Sequence, residues 1–330
     1  MALLNPPDIL PEAMRYHVRA LLALRQPHAD RDELIGLVAP RGLTEAMESL
    51  SAAADITDAE PDDLRTGGAV IAGASLDALR SLGVVEQDGS RVMLSAAAAD
   101  QWKKPGDVTA RAMCLLLLDA ALQAADPEAP YGAASGSTDL AQATVLLHTA
   151  GQSLRPFDRF ESAPAGRSFA TWQLETCGPD RVKSWPVPNK EQWLSFRRWA
   201  AYLGLARPVG TNGLIPDASE ALIARLPALQ PGDYDIGDFL GRCALAVPVL
   251  DGGALWRGPE APAGSDAGIL SGGLSVSLLQ LEADGFMTMA RPKSDTDRDS
   301  RILRLRPDRS ADRLVGTVTW HATPVRRGGL

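Results

Sequence analysis

One arrangement recurs three times along the chain: an amphipathic helix that ends at a glycine, then a short β-like arm, a polar turn and a second β-like arm. A 3.6-residue period that stops at glycine and gives way to alternation fixes both a helix end and the start of a hairpin. The clearest copy spans residues 75–95. Leu76, Leu79 and Leu82 share a helical face, Ser75 is the expected N-cap and Gly83 the terminator. Residues 84–87 and 91–94 then flank Asp88-Gly89, a strong two-residue hairpin signal. Upstream, helices are expected over 11–24 and 31–38, the latter opened by Asp30 with Glu33 three residues on.

The second copy uses 189–203 as its helix, with Trp193, Phe196, Ala200 and Leu203 as the apolar stripe and Gly204 as the stop. Its arms are 205–209 and 213–215 around Thr211-Asn212. Helices over 138–150 and 217–226 are assigned to the same domain. The third copy runs over 271–305, with Leu274, Leu278 and Leu281 ahead of Gly285. Its arms are expected at 286–291 and 301–306, with a polar tip at 292–300, and its first helix at 236–247. Helices followed by a hairpin are the order of a winged helix. The expected fold is therefore mostly α with short β-hairpins, an α+β chain of three tandem winged-helix domains. Pro/Gly/Ser-rich punctuation at 125–137 and Pro231-Gly232 sets their bounds at 1–128, 129–231 and 232–330.

Catalytic and cofactor signatures are missing. The three cysteines and four histidines are scattered, giving neither a disulfide framework nor a short-spaced metal motif. No Gly-Lys dipeptide exists for a phosphate-binding loop, and no Gly-x-Gly-x-x-Gly occurs. Gly132-Ala133-Ala134-Ser135-Gly136 has the wrong spacing for a nucleophile elbow and follows no strand. Neither an enzyme nor a cofactor or metal site is expected. The first ten residues carry no cationic stretch before an apolar run, and no apolar run approaches a membrane span, so a cytoplasmic protein is expected.

Charge then separates the three copies. Net charge is −8, yet from Arg291 onward ten Lys/Arg face five Asp, a local +5 that leaves −13 for the rest. A winged helix that grips duplex DNA needs cations on its third helix and wing. The first such helix offers Asp77, Arg80 and Ser81, and the third Ser275, Ser277 and Gln280, which is poor. The second offers Lys190, Arg197 and Arg198. The third wing carries Arg291, Lys293, Arg301, Arg304 and Arg306; if Leu303 and Leu305 face inward, alternation sends Arg304 and Arg306 to the other face. Asp295, Asp297 and Asp299 oppose them at the tip. These eight cations are the candidate duplex-DNA contacts. The competing reading is a protein–protein scaffold, which suits the acidic remainder of the chain.

Leu4-Asn5-Pro6-Pro7 precedes a helix containing Arg15, Val18 and Arg19. Residues 274–285 read Leu-Ser-Val-Ser-Leu-Leu-Gln-Leu-Glu-Ala-Asp-Gly, Ser294-Asp295 sits in the wing, and a terminal strand follows at 315–320. Together these resemble the DpdG proteins of bacterial gene clusters that install 7-deazaguanine bases in DNA and restrict foreign DNA. The resemblance spans nearly the whole chain through degenerate motifs. It implies a role in phage defence or DNA restriction beside helicase or ATPase partners, and it brings no catalytic residue with it.

Overall fold

The computed structural model describes residues 3–4, 9–24, 26, 28–39, 68–129, 136–149, 156–161, 168–178, 185–210, 213–226, 228–257, 268–292, 300–304 and 312–325. The chain is α+β, built from helices and small antiparallel sheets, and divides into two compact units. One comprises Met1–Ala124 with Ser135–Ser137, the other Ala125–Ala134 with Thr138–Leu330.

In the first unit, α1 (Pro11–Ala23) starts at a proline whose missing N–H costs a helix nothing at that position. It leads to β1 (His28–Asp30) and α2 (Arg31–Val38), where the Asp30 side chain accepts from the Asp32 N–H as the sequence foretold. Then come α3 (Gly68–Ser81), β2 (Val85–Asp88) and β3 (Arg91–Leu94). β3 lies between β1 and β2, pairing His28 with Met93 on one side and Val85 with Leu94 on the other. Met14, Val18, Leu34, Leu76, Leu79 and Val92 close the core beneath this sheet. Ser75 is not a cap. It lies inside α3, fully buried, and its hydroxyl accepts the N–H of Leu10. The small residues before it (Gly68, Ala69, Ala72, Gly73, Ala74) hide a helix start that a leucine stripe alone cannot reveal. The unit ends with α4 (Ala96–Gln101), capped by Ser95, and α5 (Ala110–Ala124).

The second unit repeats that order twice. Its first repeat is α6 (Thr138–Thr149), an isolated bridge at Phe157, α7 (Phe169–Cys177), α8 (Lys190–Tyr202), β4 (Arg207–Val209) and β5 (Gly213–Ile215). Phe157 pairs with Leu214 of β5, so the order bridge–β5–β4 matches β1–β3–β2. The next repeat is α9 (Ser219–Arg225), β6 (Gly232–Asp235), α10 (Ile236–Ala246), α11 (Gly272–Ala283) and β7 (Met287–Ala290), followed by β8 (Arg301–Leu303), β9 (Arg313–Val315) and β10 (Thr317–Trp320). Its sheet has the order β6–β10–β7. In this frame α9, which packs on α10 and α11, opens the third repeat rather than closing the second.

The third helices of the repeats, α3, α8 and α11, end alike. Gly83, Gly204 and Gly285 adopt φ of 70°, 69° and 80°. In each, the following N–H reaches back five residues (Val84 to Leu79, Leu205 to Ala200, Phe286 to Leu281), while the glycine N–H bonds three residues back. This is the Schellman pattern, which leaves the chain pointing away from the helix as a strand.

The third hairpin forms between other strands than its sequence suggested. The arm at 286–291 does not pair with 301–304, the described part of the other expected arm; β7 pairs with β10, Met287 opposite Trp320 and Met289 opposite Val318. β8 pairs instead with β9. Burial decides this. Met287, Met289, Val318 and Trp320 present matching inward faces, and Trp320 lies against Phe239 and Phe286. β8 buries only Leu303. Thus β8 and β9 are an insertion between the two arms of the outer hairpin.

Candidate nucleic-acid interface

α8 is set by its apolar side. Asn189 caps it by accepting from the Gln192 N–H, and Trp193, Phe196, Trp199 and Ala200 are buried. Phe169 of α7 stacks on Trp193 and Phe196 at 4.9 and 5.7 Å and meets Phe157 edge-on at 5.3 Å. Such a ring cluster fixes rotation about the helix axis, since a turn of the helix would expose a tryptophan. With ~100° between successive residues, the opposite side carries Lys190, Glu191, Leu194 and Arg198, all exposed, with Arg197 half-buried at its border. Leu194 stands at the middle of that open side. Burial pushes the Arg197 guanidinium down from its ordinary pKa. Lys190, Arg197 and Arg198 therefore come together on one helix, as the sequence implied. Leu194 carries no charge and so does not stand out among the cations; its place off the 193–196–200 stripe is the sequence signal for it.

The adjoining wing is open too: Arg207, Pro208 and Val209 of β4 are all exposed. Arg207 is anchored at its base, reaching Asp217 at 3.0 Å and the Gln280 side-chain oxygen at 2.8 Å. The Thr211-Asn212 turn lies outside the described residues.

α11, the third helix of the last repeat, is sealed instead. Ser275 and Ser277, read from sequence as exposed, are fully buried. The Ser275 hydroxyl donates to the Ser271 carbonyl and accepts the Arg304 N–H. The Ser277 hydroxyl donates to the Gly273 carbonyl and accepts the Ala218 N–H. His148 of α6 lies directly on Gly273 and donates through Nε2 to the Leu205 carbonyl. Arg313 of β9 forks onto Glu282 and donates to the Met289 carbonyl. Helix α6 on one side and the β8–β9 insertion on another thus cover α11. Small side chains and two glycines, which from sequence look like an uncharged surface, are there to permit close contact.

That packing redistributes the third-wing cations. Arg291 is exposed and Arg304 is half-buried beside α11. Arg301 is half-buried and lines a cleft of about 180 Å³ with Gly237, Leu240, Gly241 and Asp251. Asp251 accepts both the N–H and the hydroxyl of Ser271, at 2.7 and 2.5 Å, at the start of α11. Burial raises its pKa, against the pull of those two bonds. Lys293 and Arg306 lie outside the described residues, as does most of the wing tip.

In the first unit α3 is half open. Asp77 is paired with Arg31 at 3.1 Å, Arg80 reaches Gln87 at 3.3 Å, and Val70 is exposed. Among the described residues no group of three His, Cys, Asp or Glu side chains could hold a metal ion, and no helix is long and apolar enough to cross a membrane.

The family model described as DpdG-like matches residues 1–296. No curated protein and no solved structure matches the chain.

Proposed function

The chain belongs to the DpdG-like family, and from that premise we propose that it is a non-enzymatic subunit of a bacterial DNA-modification or defence complex, built from three tandem winged helices. Its task is to hold duplex DNA and bridge it to an ATPase or helicase partner. The winged-helix reading is supported by the common order of the repeats, helix, strand, helix, helix and two strands, with the last strand central in each small sheet. A helix offered to a major groove must be open, polar and cationic on one side. The observation that carries the assignment is the open side of α8, with Lys190, Arg197 and Arg198 against one acid, Glu191. The sealed α11 serves as a structural spine, and of the third-wing cations among the described residues Arg301 and Arg304 are half-buried while Arg291 is exposed.

Phosphate contacts release counterions, each contributing ~0.9 to the slope of log affinity against log salt. Replacing Lys190 and Arg198 with Gln should lower that slope by about two on any duplex sequence. An unchanged slope on folded protein overturns the assignment to α8. A scaffold role without nucleic acid is favoured by one observation: Leu245, on α10, is 82% exposed. Co-purification of a stoichiometric ATPase in a nucleic-acid-free complex would decide for it.

A further inference from the structure

We propose that Leu194 is the base-reading side chain of α8 and that it recognises the C5-methyl group of thymine in the major groove. The inference rests on the duplex-binding reading above and deepens it.

The helical wheel places Leu194 at the centre of the exposed arc, with Lys190 one turn before it and Arg198 one turn after, while Trp193, Phe196 and Trp199 hold the far side. Leu194 keeps 42% of its surface exposed. It is a large apolar residue between two cations one turn away on either side, the cations suited to phosphates and the middle suited to a base edge. When such a helix enters a major groove, flanking cations contact the backbones and the central residue meets base edges. Leucine has no hydrogen-bonding group, so it cannot read the donor and acceptor patterns of guanine, adenine or cytosine. The apolar feature of the major-groove edge is the thymine methyl. Glu191, three residues before Leu194, adds an acceptor that suits the cytosine amino group and disfavours a register that brings it onto phosphate. The charge balance of the face, three cations to one acid, favours a polyanion over an acidic protein surface without making the contact wholly electrostatic.

The test compares the full chain on an alternating A·T duplex of about two helical turns with the same duplex carrying deoxyuridine in place of thymidine. The two present the same hydrogen-bonding edges and differ only in the methyl groups. Burying one methyl against leucine should make the thymidine duplex bind about fourfold tighter at equal salt. Leu194→Ala should reduce this preference to near one while leaving the salt slope unchanged, because the cations remain. The comparison on unaltered protein needs no variant to fold. Equal affinity for the two duplexes overturns the inference. Failure to bind either duplex at low salt overturns instead the duplex-binding reading beneath it.

Discussion

Replacing Gly273 with alanine probes the contact on which the second unit turns. A Cβ at this position would stand 2.1 Å from Nδ1 of His148, 2.5 Å from its Cγ and 2.8 Å from its Cβ. These are far inside van der Waals separation, and the ring has nowhere to go. His148 is fully buried, and its Nε2 is tied to the Leu205 carbonyl at 2.8 Å. Overpacking of a closed core costs about 1–3 kcal/mol. Tearing the imidazole from the Leu205 carbonyl, buried at the α8–β4 junction, adds about 1–3 kcal/mol. The better helix propensity of alanine returns at most about 1 kcal/mol. A net loss of about 1–6 kcal/mol is therefore expected. Urea titration followed by tryptophan fluorescence reads it, with Trp193 and Trp199 reporting from the neighbouring helix. The decisive comparison is Gly273→Ala combined with His148→Ala. Removing the ring frees the space the new methyl needs, so the double variant should be more stable than the two single losses predict, by at least about 1 kcal/mol. Gly273→Ala within about 0.5 kcal/mol of the parent, or strict additivity with His148→Ala, would refute the account of α11 as a sealed spine.

Two further outcomes follow from buried polar groups. Burial, chiefly, lowers the His17 pKa from 6.5 to about 4, with the Ala72 carbonyl opposing and Arg31 adding to the shift. The unfolded chain therefore takes up this proton first as pH falls; the His17 contribution is complete above pH 6.5 and is lost progressively toward pH 4, by at most about 1.4 kcal/mol per pH unit. His17→Gln should flatten that part of the stability profile, and parallel profiles for the two proteins would sink the claim. Ser277→Ala leaves the buried Ala218 N–H without its acceptor, which should cost about 1–3 kcal/mol and speed exchange of the Ala218 amide. Unaltered protection of that amide would show that another group accepts it.

Features made by neighbours in sequence were legible from sequence. The three helix ends at Gly83, Gly204 and Gly285 could be read because a positive φ after a leucine stripe is a local demand that glycine meets most cheaply. The first two hairpins, the Asp30 cap and the cationic set on α8 were readable for the same reason: each depends on residues a few positions apart. The DpdG resemblance drew on other short segments, the opening around Arg15–Arg19, residues 274–285, Ser294-Asp295 and the terminal strand, and the family match over residues 1–296 agrees with it.

Tertiary structure decided the rest, because strand partners and burial are settled by distant residues competing for one core. β7 chose β10 over β8 because Val318 and Trp320 complete an apolar layer that Arg301 and Ile302 cannot. Phe157 extends the sheet at β5 through a single bridge, too short to leave a strand pattern. Ser275 and Ser277 read as a polar surface until Ala218 and Arg304 close over them. A hydroxyl that satisfies a distant backbone N–H looks the same in sequence as one that faces water, and so the openness of α8 and the closure of α11 belong to the folded chain alone.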